Sequence, residues 1–449
     1  MTHPHTAEAL QATAIAGIAG ILLAGTLLAH LARRVRQPAV IGEITAGILL
    51  GPSLLGQLPG DPTHRLFPDE VRPLLSMVAQ LGLLLFMFAV GWELDWATMR
   101  RRKRSVAGVT AGSILVPMLL GLGVAAVIYR NHSHVNGEKV QFTSFALYLG
   151  VSMSITAFPV LARILNDNKI SRTKIGALAL TSAAFGDVLA WCLLAGVVAI
   201  VTASGPAGFT NTLWMSAVYG AAMLWVVRPL LTWCVARVST REGTGHQLAA
   251  LVTAGLLLSA YASSRIGIHP IFGAFAFGLV MPRRPKVLLE EKVLSPLRHA
   301  GELMLPVYFI VTGLSVDIAD MSPSAWGELG LILTAAVVGK VLGAGLPARS
   351  FGLNWRESTG VGVLMNTRGL TELVILGVGL NLGVLDQTLF TEMVLMALIT
   401  TAMTGPLLPL LLPRTRRDPV ATPAVPATSA PPVVRLPEPT GSHTSDLVG

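Results

Sequence analysis

Asp187 sits near the middle of an apolar run, residues 175–203, that holds no other charged side chain. A carboxylate at the centre of a bilayer costs on the order of 2.5–3.5 kcal/mol on insertion scales, so such residues face a protein interior or a watery cavity and handle ions or protons. The group is neutral with a proton or charged beside a cation, and its empty charged form is the costly one. Presented to each side of a membrane in turn, it would swap one positive guest for another. Its expected partners are polar interruptions in other apolar runs. Ser154-Ile155-Thr156-Ala157-Phe158-Pro159 is one. Pro159 removes a backbone donor there, while Ser154 and Thr156 offer hydroxyl oxygens that suit a dehydrated monovalent cation and equally cap a broken turn. Asn366-Thr367-Arg368-Gly369 is the second. Glu372 follows Arg368 by four residues, the spacing of an ion pair along one helix face.

Lys340 lies well inside the run 325–347. A lysine so placed pairs with Asp187 when no ion is bound, or stabilises the negative ends of broken half-helices. Glu43 lies in a short Gly-rich run and lines a funnel or pairs with a basic residue. His269 precedes Pro270 and reads as a turn residue, and Glu302 and Arg228 read as interfacial.

The elements that must position these residues are membrane helices. Of 449 residues, 52% are hydrophobic and 13% charged, too apolar for a soluble chain. Continuous runs long enough to cross about 30 Å of hydrocarbon recur along the length. An all-α polytopic membrane protein follows, with about thirteen transmembrane helices at roughly 12–32, 38–56, 72–92, 105–129, 142–164, 174–203, 211–235, 246–264, 268–283, 299–317, 325–347, 357–380 and 387–412. The net charge of +9 resides in short loops and sets topology, so no nucleic-acid partner is expected. Alternate loops carry roughly two dozen basic residues against about five in the others, which predicts an outside N-terminus and a cytoplasmic C-terminus. Met1 to Gln11 has no Lys or Arg, so the first run is expected to be a retained span rather than a cleaved signal. The two interrupted spans are the middle members of two three-span units, four to six and eleven to thirteen, which would run oppositely through the membrane. Paired interruptions of this kind point to a transporter site. Residues 414–449, rich in Pro and Ala, read as a disordered cytoplasmic tail. Two cysteines, Cys192 and Cys234, cannot build a disulfide framework or zinc site. No nucleotide-binding motif is visible, and no cofactor is expected beyond the transported ions.

Several stretches together resemble the cation:proton antiporter-2 family of Kef-type potassium exporters and plant cation/proton exchangers. They are QPAVIGEI from Gln37 with Gly51-Pro52-Ser53, SMSITAFPVLARIL from Ser152, GDVLAW from Gly186, HPIFGAFAFGLVMP from His269, and LMNTRGLTEL from Leu364. The resemblance spans most of residues 30–412. It implies an inverted-repeat antiporter fold with two broken crossing helices, and a homodimer in which a core bundle (about 105–203 and 325–412) moves as an elevator. A scaffold bundle (about 12–92 and 246–317) would dimerise, and 211–235 would link the two. Implied too are a cell inner (plasma) membrane location, exchange of Na⁺ or K⁺ for H⁺ in pH homeostasis, Asp187 as the shared site with Thr156 and Ser154 as ligands, and supporting roles for Lys340, Arg368, Glu372, Asn366 and Glu43. Gly186 departs from the pattern, because relatives commonly carry Asp, Asn or Gln there. One carboxylate in place of two favours one-for-one electroneutral exchange. The Kef-type nucleotide-binding domain is not expected. A channel, an intramembrane protease and a proton-coupled exporter of an organic solute are the rivals. The protease needs a second membrane aspartate, and the channel a continuous filter.

Overall fold

The computed structural model describes residues 7–35, 37–93, 103–171, 173–202, 206–239 and 245–411. The tail 414–449 and several loop arginines lie outside the described residues. The chain is helical almost throughout, in the order α1 (Ala7–Arg34), α2 (Ala39–Leu50), α3 (Pro62–Leu66), α4 (Arg72–Glu93), α5 (Lys103–Ile128), α6 (Phe142–Ser154), α7 (Phe158–Asp167), α8 (Lys174–Thr202), α9 (Pro206–Ala222), α10 (Arg228–Ser239), α11 (Gly245–Ile266), α12 (Pro270–Val280), α13 (Lys286–Leu289), α14 (Ser295–Leu314), α15 (Pro323–Ser350), α16 (Trp355–Met365), α17 (Leu370–Asn381) and α18 (Gln387–Leu411). A two-residue hairpin, His134–Val135 with Glu138–Lys139, follows α5. Most of these helices are apolar on every face, the pattern of segments that meet protein on one side and lipid on the other.

Among the described residues, ten helices are long and apolar enough to cross a membrane, or eleven when α16 and α17, bent by 44°, count as one span. The sequence led us to expect about thirteen. The other two expected spans fall on α12 and α14. At eleven residues, α12 reaches about 16 Å, half of a hydrocarbon core. α14 has twenty residues but carries Arg298, His299 and Glu302 in its first turns.

Two sets of helices pack mainly among themselves. α1, α2, α4, α11, α12 and α14 form one. α5, α6, α8, α15, α16 and α18 form the other, with α7 and α17 lying against α8 and α18. α9 and α10 continue through a π-turn, Met223–Val227, and form the least buried of the spans.

Backbone-to-backbone contacts fix the closest crossings. A Cβ on Gly112 of α5 would lie 2.1 Å from the carbonyl oxygen of Gly343 on α15, and one on Gly343 would lie 2.4 Å from that of Gly112. In the other set a Cβ on Gly47 would lie 2.4 Å from the Ile310 carbonyl oxygen, and one on Gly91 would lie 2.3 Å from that of Phe275. Helix association in lipid depends on such packing rather than on hydrophobic driving force. The Gly112–Gly343 crossing brings Lys340, three residues before Gly343, beside α5.

Gly343→Leu is therefore expected to destabilise the protein by about 1–3 kcal/mol or more and lower its thermal unfolding midpoint in detergent. Gly196→Ala on α8, where a Cβ meets nothing within 4 Å, should leave the midpoint in place.

Candidate functional site

Both interrupted runs are true breaks. α6 stops at Ser154, residues 155–157 are extended, and Pro159 stands in the first turn of α7, where its missing N–H costs nothing. α16 opens on a capping box between Asn354 and Glu357, stops at Met365, and resumes as α17 after Gly369. The breaks cross in contact, for the Ala157 amide donates to the Thr367 carbonyl at 3.0 Å. Gly369 permits the approach, since a Cβ there would lie 2.6 Å from Val160 Cγ2.

A helix ending inside a membrane strands its last four carbonyls away from water. At α6 every one has a donor. Val151 O accepts from Ser154 Oγ at 2.7 Å. Ser152 O accepts from Arg368 Nη1 at 3.3 Å, and Met153 O from Arg368 Nη2 at 2.8 Å. Ser154 O accepts from Lys340 Nζ at 2.5 Å. Lys340 Nζ also donates to Ser113 O at 3.0 Å and to Thr156 Oγ1 at 2.8 Å. At α16, Met365 O accepts from Thr156 Oγ1 at 2.8 Å and Leu364 O from Thr367 Oγ1 at 2.8 Å. Thr401 Oγ1 bridges the second break, accepting from Arg368 N at 2.9 Å and donating to Arg368 O at 2.8 Å.

The two cations thus sit at the negative end of a half-helix, where the macrodipole favours them. Of the two roles open to Lys340, the geometry is that of the half-helix partner. No ion pair joins it to Asp187 among the described residues, although the two charges act on one another. Arg368 is paired with Glu372, Nη1 to Oε1 at 2.7 Å, both residues fully buried.

Asp187 occupies the other pole. It lies in the middle of α8, about 20 Å from either end, and is 5% exposed. Its polar neighbours are the Phe158 main chain and the Thr371 hydroxyl, in the first turns of α7 and α17. Two positive half-helix ends thus converge on one carboxylate. Oδ1 has no hydrogen-bond partner among the described residues, and neither do Asn366 Oδ1 and Glu372 Oε2. These are hard oxygen acceptors of the kind a dehydrated alkali cation takes. At Gly186 a Cβ would meet nothing within 4 Å, so the missing side chain leaves room beside the carboxylate. A cavity of about 610 Å³ runs from Arg298 and Glu302 on α14, past Phe86 and Ala89 of α4, to Phe158 and Pro159 at the start of α7. It reaches the residue whose main chain faces Asp187.

The hydroxyls fit a ligand role less well. Thr156 Oγ1 both accepts from Lys340 and donates to Met365 O, and Ser154 Oγ is turned back on Val151 O. In this arrangement they close the break. Glu43, on α2, has Arg163 and Arg33 as the opposite charges acting on it and stands apart from the Lys340–Arg368 group. Sequence reasoning missed Thr371, although it lies in the LMNTRGLTEL stretch. It also missed Thr401 and the Ser113 carbonyl, which carry no local signal.

The sodium/hydrogen exchanger transmembrane family profile matches residues 18–414. Cation/H(+) antiporter 20 of Arabidopsis thaliana is 40% identical over 397 residues, covering 86% of this chain and 47% of its own. Na(+)/H(+) antiporter NhaS4 of Synechocystis is 37% identical over 394 residues, covering 88% and 95%. The chain thus spans about half the length of the plant relative and nearly all of the cyanobacterial one. Among solved structures, the sodium proton antiporter MjNhaP1 of Methanocaldococcus jannaschii superposes with a TM-score of 0.62 at 15% identity, over 89% of this chain and 96% of that one. The fold is shared.

Arg368→Leu should cost about 3–5 kcal/mol, because it leaves Glu372 charged and unpaired in the interior and strands two carbonyls. Unfolding in detergent would measure the loss. The double variant Arg368→Leu/Glu372→Leu should recover part of it.

Proposed function

We propose that this chain, which belongs to the sodium/hydrogen exchanger family, is a secondary active antiporter that exchanges Na⁺ or K⁺ for H⁺ at Asp187. The observation that carries the reading is a buried carboxylate, one oxygen unpartnered among the described residues, set between the first turns of two broken helices. A proton or a cation satisfies that oxygen, and the two exclude each other. Asp187 is the ion-binding group, Asn366 and the main chain at the breaks supply neutral oxygens, and Lys340, Arg368 and Glu372 keep the crossing assembled. The Thr156 hydroxyl and the Ser154 carbonyl join the ion's shell only if Lys340 lets go of them, which makes Lys340 a modulator of the empty state. With Gly186 in place of a second acid, exchange is one-for-one and electroneutral.

The short motifs around Asp187, Pro159 and Arg368 support membership of the cation:proton antiporter-2 group. Its elevator bundle would be the set around α5, α8 and α15, its dimer scaffold the set around α4, α12 and α14, and α9–α10 the link. The loop charges support an outside N-terminus and a cytoplasmic C-terminus, and the chain would reside in the cell's inner or plasma membrane. The cavity beside α7 and α14 then opens to the cytoplasm and is the ion's inward route.

Asp187→Asn tests the reading. In proteoliposomes loaded with a pH dye, Na⁺ or K⁺ pulses should drive proton movement with the unmodified protein. They should drive none above protein-free vesicles with the variant, which should remain folded and monodisperse. Wild-type-like exchange by Asp187→Asn would remove the residue from the mechanism. A potassium ionophore that clamps the voltage should leave the rate unchanged if exchange is electroneutral.

A further inference from the structure

A second group of ionisable residues, two of them buried, lies at the end of α5 away from its basic start, on residues the site above does not use. His132, in the loop after α5, is 4% exposed. Its ring lies parallel to Phe145, with centroids 6.3 Å apart. Nδ1 is 2.6 Å from Asp386 Oδ2, and Nε2 is 2.7 Å from Glu328 Oε2 on α15. The carboxylates are themselves held. Asp386 Oδ1 accepts from the Leu389 amide at 2.8 Å, capping α18, and Glu328 Oε1 accepts from Asn131 Nδ2 at 2.6 Å. Glu392, in the second turn of α18, completes the group. It is fully buried, and neither Oε1 nor Oε2 has a hydrogen-bond partner among the described residues. One ligand atom each from His132, Glu328 and Glu392 falls within 4.8 Å of the other two.

A buried carboxylate with both oxygens unpaired, beside two further carboxylates, requires compensation. A proton would neutralise Glu392 and still leave it without a partner. A divalent cation supplies both charge and bonds. The geometry points to a site for a divalent transition-metal ion of the Zn²⁺ class, ligated by His132 Nε2, Glu328 and Glu392, with Asp386 as the carboxylate that orients the imidazole through Nδ1–H. One nitrogen and two carboxylate oxygens form a three-ligand set with room for water, and the histidine disfavours Ca²⁺ and Mg²⁺. Metal–ligand bonds of about 2 Å at tetrahedral angles place ligand atoms about 3.3 Å apart, within reach of side chains already this close. The Asp386–His132–metal arrangement is the usual outer-shell pattern, in which the second ring nitrogen is fixed by a carboxylate. On binding, the metal replaces the Nε2 proton, which leaves to solvent past Asn131, an exposed residue. The ion would fasten α18 to α15, the helix that carries Lys340.

The test uses untagged full-length protein in detergent, stripped with a chelator and titrated with Zn²⁺ against a chromophoric competitor, with thermal unfolding read in parallel. One Zn²⁺ per chain should bind with a rise in midpoint that Mg²⁺ and Ca²⁺ do not reproduce. Glu392→Gln, near-isosteric, should weaken binding at least 10-fold, and Asp386→Asn by about 10- to 100-fold. X-ray absorption of the unmodified protein should show one imidazole nitrogen with oxygen ligands, a readout independent of how any variant folds. Equal Zn²⁺ affinity in wild type and Glu392→Gln, no bound equivalent, or a zinc shell lacking imidazole would each overturn the proposal.

Discussion

Two helices that stop inside a membrane create the constraint on which the structure depends. Each leaves carbonyl groups with no water to receive them, and the α6 end has three of its four answered by Lys340 and Arg368. Bringing two cations into that interior creates a charge requirement in turn. Glu372 meets it directly for Arg368. Lys340 has only neutral oxygens in contact, and the opposite charges that act on it are Glu372 and Asp187. With all four groups ionised the formal charge sums to zero. The same two breaks present positive half-helix ends to Asp187, so one backbone defect places the acid, the bases and their separation.

Much of this arrangement was legible in the chain. Asp187 stood out because one acid in a long apolar run has few uses. The breaks stood out because Pro159 and Asn366-Thr367-Arg368-Gly369 interrupt otherwise continuous spans. The pairing of Arg368 with Glu372 is suggested by their four-residue spacing, although Arg368 stands in the break before α17. What the sequence did not disclose depends on side-chain direction and on contacts between distant positions. Thr156 reads as an ion ligand until its hydroxyl is found between Lys340 and Met365. Either role of Lys340 is compatible with its depth, and only the Gly112–Gly343 crossing turns it toward α6. His132, Glu328, Asp386 and Glu392 are scattered over 260 residues, and none sits in a pattern that announces the others. Two of the thirteen expected spans fall short of a full crossing by length and composition among the described residues, α12 because it is apolar but short.

The family match and the shared fold with an archaeal antiporter concern the whole helical region, whereas the site is a matter of a few atoms. Gly186 illustrates the difference. It alters no helix and no contact, since a Cβ there would touch nothing, yet it leaves Asp187 as the one acid of α8.

The glycine seam between α5 and α15 has a mechanical corollary. At Gly112 and Gly343 the two backbones meet directly, with Pro347 and Val116 packed against the glycines. Sliding one helix past the other would drive a branched side chain into a carbonyl. α5 and α15 therefore behave as a single beam, and the ammonium group anchored on one and bonded to the other travels with both. Any displacement of the crossing must carry that beam whole.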